Sequence, residues 1–88
     1  MQATEIDIKE NVKGYILREF LPGESPDTVD DSTLLITDGV LDSIGTVKIV
    51  SFLEEQYGIE LEAHELSAEY LNTLPDIAKL VAARIAAK

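Results

Sequence analysis

The sequence predicts an all-α fold, a small four-helix bundle with three main helices, one short third helix and a long loop between the first two. Apolar residues recur with a period of about 3.6 residues in three separated segments. No stretch reads as a convincing strand. The chain has 88 residues, 45% of them hydrophobic, which is material for a single core. One domain spanning residues 1–88 is therefore expected.

The first helix is expected from about Thr4 to Phe20, because Ile8, Val12, Tyr15, Ile16 and Phe20 fall on one helical face. Leu21-Pro22-Gly23 stops it, since proline disfavours helical backbone in the residue before it. A connection rich in Asp, Ser, Thr, Pro and Gly then runs from Glu24 to about Leu41, with Leu34, Leu35, Ile36, Val40 and Leu41 expected to peg it to the core. A loop this long in a small domain usually has a function or local structure of its own. The second helix is expected from Ser43 to about Tyr57, ended by Gly58, with Ile49, Val50, Leu53 and Tyr57 as its buried stripe. A short helix around Ser67 to Leu71 follows. The last helix starts at Thr73 as N-cap, with Asp76 completing a capping-box-like pair and Pro75 in the first turn, where its missing N–H costs nothing. Its core stripe is Ile77, Leu80, Val81 and Ile85, and Arg84 and Lys88 suit the negative end of its dipole.

Charge and composition exclude several classes of function. Seven Lys and Arg against 17 Asp and Glu give a net charge of −10. That sign opposes the phosphate attraction behind nucleic-acid binding and disfavours anionic membrane surfaces. It favours partners with basic surfaces. There are no cysteines, so no disulfide framework and no thiolate metal site. Neither a signal peptide in Met1–Asp7 nor an apolar run near the ~20 residues of a membrane span is present, so a cytoplasmic monomer without membrane insertion is expected. The acids cluster: between Glu19 and Val47 there are seven and no base, and between Ile49 and Ala78 another seven and no base, with Lys48 between the two runs. A solvated surface explains charge runs in general.

The informative segment is Asp38-Gly39-Val40-Leu41-Asp42-Ser43-Ile44-Gly45-Thr46-Val47, where a loop ends in Asp-Ser and an amphipathic helix starts at once. Asp42 or Ser43 as an N-cap is the simple structural explanation. Two features exceed it. Ile44, Lys48, Ser51 and Glu55 share a stripe away from the core, which makes Ile44 a lone apolar residue on a polar face beside a hydroxyl. A helix N-terminus also favours a phosphate, so Ser43 is well sited to carry a phosphodiester, and Asp42 to help hold a divalent cation during its transfer.

At these residues the chain resembles the acyl carrier protein family, the discrete four-helix carriers of phosphopantetheine. The resemblance covers essentially the whole chain, from the first helix and long acidic loop through Asp42-Ser43-Ile44 and Leu53-Glu54-Glu55 to the short third helix. It implies that Ser43 is the attachment site of 4′-phosphopantetheine, supplied from coenzyme A by a separate magnesium-dependent phosphopantetheinyl transferase, and that Asp42 positions the metal in that transfer. It implies no catalysis and no intrinsic metal. Acyl or aminoacyl cargo would ride on the arm as a thioester, exchanged among an acyl or aminoacyl ligase, synthases and transferases with basic docking surfaces. Ile44 matches the hydrophobic residue that partners contact; Val47, Lys48, Ser51 and Glu55 complete the expected partner surface. Gly45 and Lys48 stand where fatty-acid carriers usually have acids, and Ser-Ile-Gly-Thr-Val looks closer to D-alanyl carriers and to some aminoacyl or peptidyl carriers. A specialised carrier of open cargo, in a lipid or specialised-metabolite pathway, is the expectation.

Other readings fare less well. A hydrolase would need a base facing Ser43, yet the only histidine, His64, lies in an expected loop near Glu62 and Glu65, and no G-x-S-x-G elbow exists. An EF-hand fails, because Gly39 at position 6 would put Leu34, Ile36 and Gly45 at ligand positions 1, 3 and 12. An acidic protein-interaction module without a prosthetic group, using the Ile44 stripe, stays open.

Overall fold

Three helices form where the apolar periodicity places them, and a short one forms between the second and the last. In the computed structural model, which describes residues 4–87, they are α1 (Glu5–Phe20), α2 (Ser43–Tyr57), α3 (Ala68–Leu71) and α4 (Leu74–Ala86). Short 3-10 turns occupy Pro26–Thr28 and Ala63–Glu65, and no strand occurs among the described residues. The expectations placed on Met1, Gln2, Ala3 and Lys88 lie outside the described residues. No helix of the described residues is long and apolar enough to cross a membrane.

Each helix is bounded by local chemistry. Thr4 Oγ1 accepts the Asp7 N–H and the Asp7 carboxylate accepts the Thr4 N–H, a reciprocal cap that opens α1. Gly58 ends α2 in the left-handed region, at φ 62°, and its N–H reaches Glu54 O. Thr73 Oγ1 accepts the Asp76 N–H at 3.2 Å to open α4. The expected reciprocal bond from Asp76 is not formed among the described residues, so that cap is one-sided: the Asp76 side chain stays in solvent.

The core joins Ile8, Val12 and Ile16 of α1 to Ile49, Val50 and Leu53 of α2, Leu71 of α3, and Leu74, Ile77, Ala78, Leu80 and Val81 of α4. Each fully buried Ile or Leu contributes roughly 1.5–3 kcal/mol, a large share of what so small a domain can muster. α1 packs along α4 and, less extensively, α2. Tyr15, Phe20, Tyr57 and Ile85, expected on the buried stripes, sit half-buried at their edges. The tyrosines do so because each phenol needs a partner: Tyr57 Oη accepts from Asn11 at 3.0 Å, and Tyr15 Oη donates to Lys48 O at 3.3 Å.

The acidic loop is pegged differently from expectation. Leu35 and Leu41 are buried and Ile36 and Val40 half-buried, as anticipated, but Leu34 points outward at 39% exposure. The reason is a tight turn: Asp38 N–H bonds Leu34 O and Leu41 N–H bonds Leu35 O, which aims Leu35 and Leu41 inward and leaves Leu34 on the rim. Val29, unremarkable in the sequence, takes a fully buried place after the Pro26–Thr28 turn.

Candidate functional site

Asp42, not Ser43, is the cap of α2. Its backbone is extended, its Oδ1 accepts the Gly45 N–H at 2.7 Å, and its carbonyl accepts both Thr46 N–H and Thr46 Oγ1–H at 2.8 Å. Ser43 is consequently the first helical residue. It is exposed, and among the described residues its hydroxyl takes part in no hydrogen bond. The N–H groups of Ser43 and Ile44 also find no acceptor among the described residues. A hydroxyl in solvent beside two unspent donors at the positive end of a 15-residue helix suits an anionic ester. The second carboxylate oxygen of Asp42 makes no bond among the described residues.

Gly45 has a structural cause. It is buried, and a Cβ there would lie 3.1 Å from the Phe20 ring and 3.1 Å from Asp42 Oδ1, so a side chain at position 45 makes the Phe20 ring and the capping carboxylate give way by a few tenths of an ångström. Gly45→Val is expected to lower stability by about 1–3 kcal/mol through this overpacking, and to loosen the Asp42 cap. Chemical denaturation, with amide exchange at Gly45 and Thr46, checks it.

From Ser43 an exposed surface runs down α2. Ile44 and Val47 are 69% and 57% exposed, and Lys48, Ser51 and Glu55 continue the same side, so all five residues expected at a partner surface are accessible. Two open grooves flank this ridge. One of about 500 Å³ lies against Ser43 and Thr46, with Ile36, Leu41, Val47 and Leu66 as apolar lining. The other, about 360 Å³, is bordered by Glu19, Lys48 and Glu55 with the stacked Tyr15 and Phe52 rings, whose centroids are 4.2 Å apart. Burial chiefly, then the charge of Glu19, raises the Tyr15 pKa. A slightly larger groove of about 540 Å³, between Lys9, Lys13 and Asp31, shares no residue with the Ser43 groove, and the hydroxyl rather than volume marks the site.

His64 is exposed on the Ala63–Glu65 turn, with Nδ1 at 3.5 Å from Glu62 Oε2 and its ring edge-on to Tyr70. Its ring makes no hydrogen bond to Ser43 among the described residues, and the serine beside it, Ser67, donates to the His64 backbone carbonyl and not to the ring. Glu62, His64 and Glu65 offer ligand atoms within 4.8 Å of one another. The positive charge there already belongs to Arg84, whose guanidinium binds Glu65 Oε2 and approaches Glu62 at 3.9 Å. Glu65 is 3% exposed. Burial alone would raise its pKa, but the Glu62 N–H and the Arg84 guanidinium outweigh it and hold the carboxyl below the ordinary glutamate value. This buried pair escaped sequence reasoning, although the Glu62-x-x-Glu65 spacing is that of a capping box.

No family model matches the chain. It is 29% identical over 79 residues to the acyl carrier protein of Chlamydia muridarum (strain MoPn / Nigg), a match covering 90% of this chain and 97% of that protein. Its fold is similar to a solved structure described as KstB-PCP in its apo form, with a TM-score of 0.68, 25% identity, and coverage of 91% of this chain and 88% of that one. Both bear out the resemblance read from the sequence and the four-helix architecture that goes with it.

Proposed function

We propose, from the likeness to the acyl carrier protein family, that the chain is a carrier whose Ser43 bears 4′-phosphopantetheine. The observation that carries this reading is the Ser43 hydroxyl, exposed and unbonded at the head of α2 beside an apolar-lined groove. When attached, the group supplies a thiol on a flexible arm, to which acyl or aminoacyl cargo joins as a thioester. The chain's own part is positional. Ser43 would hold the group as a phosphodiester on its hydroxyl oxygen, the new bond to phosphorus replacing the pyrophosphate bond of coenzyme A with adenosine bisphosphate as leaving group, and the hydroxyl proton would pass to the transferase. Asp42 holds the helix head with one carboxylate oxygen, and its carboxylate would help to hold the magnesium that the transferase brings.

Ile44 and Val47 are the apolar contacts for a visiting enzyme, and the charge of −10 steers partners with basic docking surfaces. These partners are the phosphopantetheinyl transferase, an acyl or aminoacyl ligase, and synthase or transferase enzymes. Lys48 on the same ridge disfavours partners whose basic groups expect an acid there, in keeping with a specialised pathway. The protein itself performs no catalysis in this reading. The test is incubation with coenzyme A, magnesium and phosphopantetheinyl transferases of different specificity, followed by intact-mass measurement. One pantetheinyl adduct per chain is expected; an unmodified protein with every transferase overturns the reading.

A further inference from the structure

Residues 34–41 run straight into Asp42-Ser43, so the course of their backbone sets how the head of α2 is entered. Buried Leu35 and Leu41 hold this stretch to the core, but apolar contact has no direction and does not fix which way a peptide plane turns. Hydrogen bonds do. Inside the stretch, Asp38 N–H reaches Leu34 O, Gly39 N–H reaches Ile36 O and Leu41 N–H reaches Leu35 O. Among the described residues, every hydrogen bond that joins residues 34–41 to the rest of the chain goes to one residue, Asn72 at the end of α3.

Four such bonds are made. The Asn72 carbonyl accepts the Leu35 N–H at 2.6 Å. Its Oδ1 accepts the N–H groups of Ile36 and Thr37 at 2.9 and 3.0 Å, and its Nδ2 donates to Thr37 Oγ1 at 2.9 Å. The anchor is itself fixed from both sides, since Leu71 before it is fully buried and Thr73 after it caps α4. The chain of ties then passes from Asn72 through Leu35, whose carbonyl holds the Leu41 N–H, to the residue that precedes Asp42. A rigid helix junction thus dictates the path of a loop that has no other directional tie over these residues.

We infer that Asn72 is a positioning residue for the modification of Ser43: it holds the turn over residues 34–41 on the course that presents Asp42 and Ser43 to the transferase. The inference rests on the carrier reading and adds to it a residue on which the reaction depends without contact. With the Asn72 side chain removed, the turn samples other courses, and only the fraction on the present one is competent to dock. A loss of that kind raises KM in inverse proportion to the competent fraction and leaves kcat alone, because the docked complex is unchanged.

The test compares wild type, Asn72→Ala and Asn72→Asp at about 0.3 M salt, which screens the charge that the second variant adds. In the unmodified protein, Asn72→Ala should speed amide exchange by about tenfold at Ile36 and Thr37, and measurably at Leu41, through local opening. Its KM as a transferase substrate should rise roughly fivefold at unchanged kcat. Asn72→Asp keeps the two acceptor bonds and should bring KM back to within about twofold of wild type. A residue with a merely structural role behaves otherwise: at a temperature where every variant is folded, its loss lowers the melting point and leaves KM as in wild type. That result overturns the inference. So does a raised KM that Asn72→Asp fails to reverse, or a Leu41 amide whose exchange does not change in Asn72→Ala. If Asn72→Ala does not fold, Thr37→Val takes its place by removing the single bond to Nδ2. A KM raised about twofold then supports the inference, and an unchanged KM overturns it. A wild type that no transferase modifies, seen by mass before any kinetics, contradicts the carrier reading, and this inference falls with it.

Discussion

Ser43→Ala is expected to abolish pantetheinylation entirely while leaving the fold intact. The hydroxyl makes no bond among the described residues and the side chain is exposed, so its removal should change stability by no more than about 0.5 kcal/mol, the usual range for a surface site. Asp42 keeps the cap, and alanine is a good first-turn residue. The pairing of total functional loss with unchanged stability separates a tether from a cap. Had Ser43 been the cap, the same substitution would have cost about 1 kcal/mol in stability. Intact mass and a denaturation curve on one sample measure both halves.

Arg84→Met is expected to have the largest effect on stability outside the apolar core. Methionine preserves the stem that packs along α4 but strands the Glu65 carboxylate, which is 3% exposed, with only the Glu62 N–H as partner. A fall in thermal midpoint of roughly 5–10 °C at pH 7 is the expected size for a domain of this length. The pH dependence follows from the direction of the Glu65 shift. Burial raises its pKa, the Glu62 N–H and Arg84 lower it more, and the folded value lies below the unfolded one. The pair's contribution is therefore fully present above the ordinary glutamate pKa and is lost as pH falls through the depressed folded value. The gap between wild type and Arg84→Met should be widest near neutrality and close in acid. Thermal melts from pH 7 down to pH 3 measure it, and a gap that widens in acid contradicts this account of Glu65.

Much of this was legible in the sequence, and the reasons are local. α1, α2 and α4 announce themselves because their stripes repeat every turn and because Thr4, Asp42, Gly58 and Thr73 are the residue types that helix ends require. The exposed stripe of Ile44, Lys48, Ser51 and Glu55 follows from helical spacing once the start of α2 is known, and Val47 joined the expected partner surface only through the family resemblance. What stayed hidden depends on partners distant along the chain. Leu34 and Leu35 look alike in sequence, and the turn bonds from Asp38 to Leu34 and from Leu41 to Leu35, with Leu35 N–H on Asn72 O, set which of them faces inward. Gly45 reads as a missing acid until Phe20, at the end of another helix, is found pressed against it. Arg84 suits its helix end on dipole grounds, but its partner Glu65 lies on the Ala63–Glu65 turn, outside α4.

The central claim is that the Ser43 oxygen is the point of attachment for a prosthetic arm. Proteolysis of the modified protein, followed by fragment-mass mapping of the pantetheinyl ester, tests it most directly. The account predicts the adduct on Ser43 alone. An adduct carried by Ser25, Ser32, Ser51 or Ser67, or its persistence in Ser43→Ala, would contradict it.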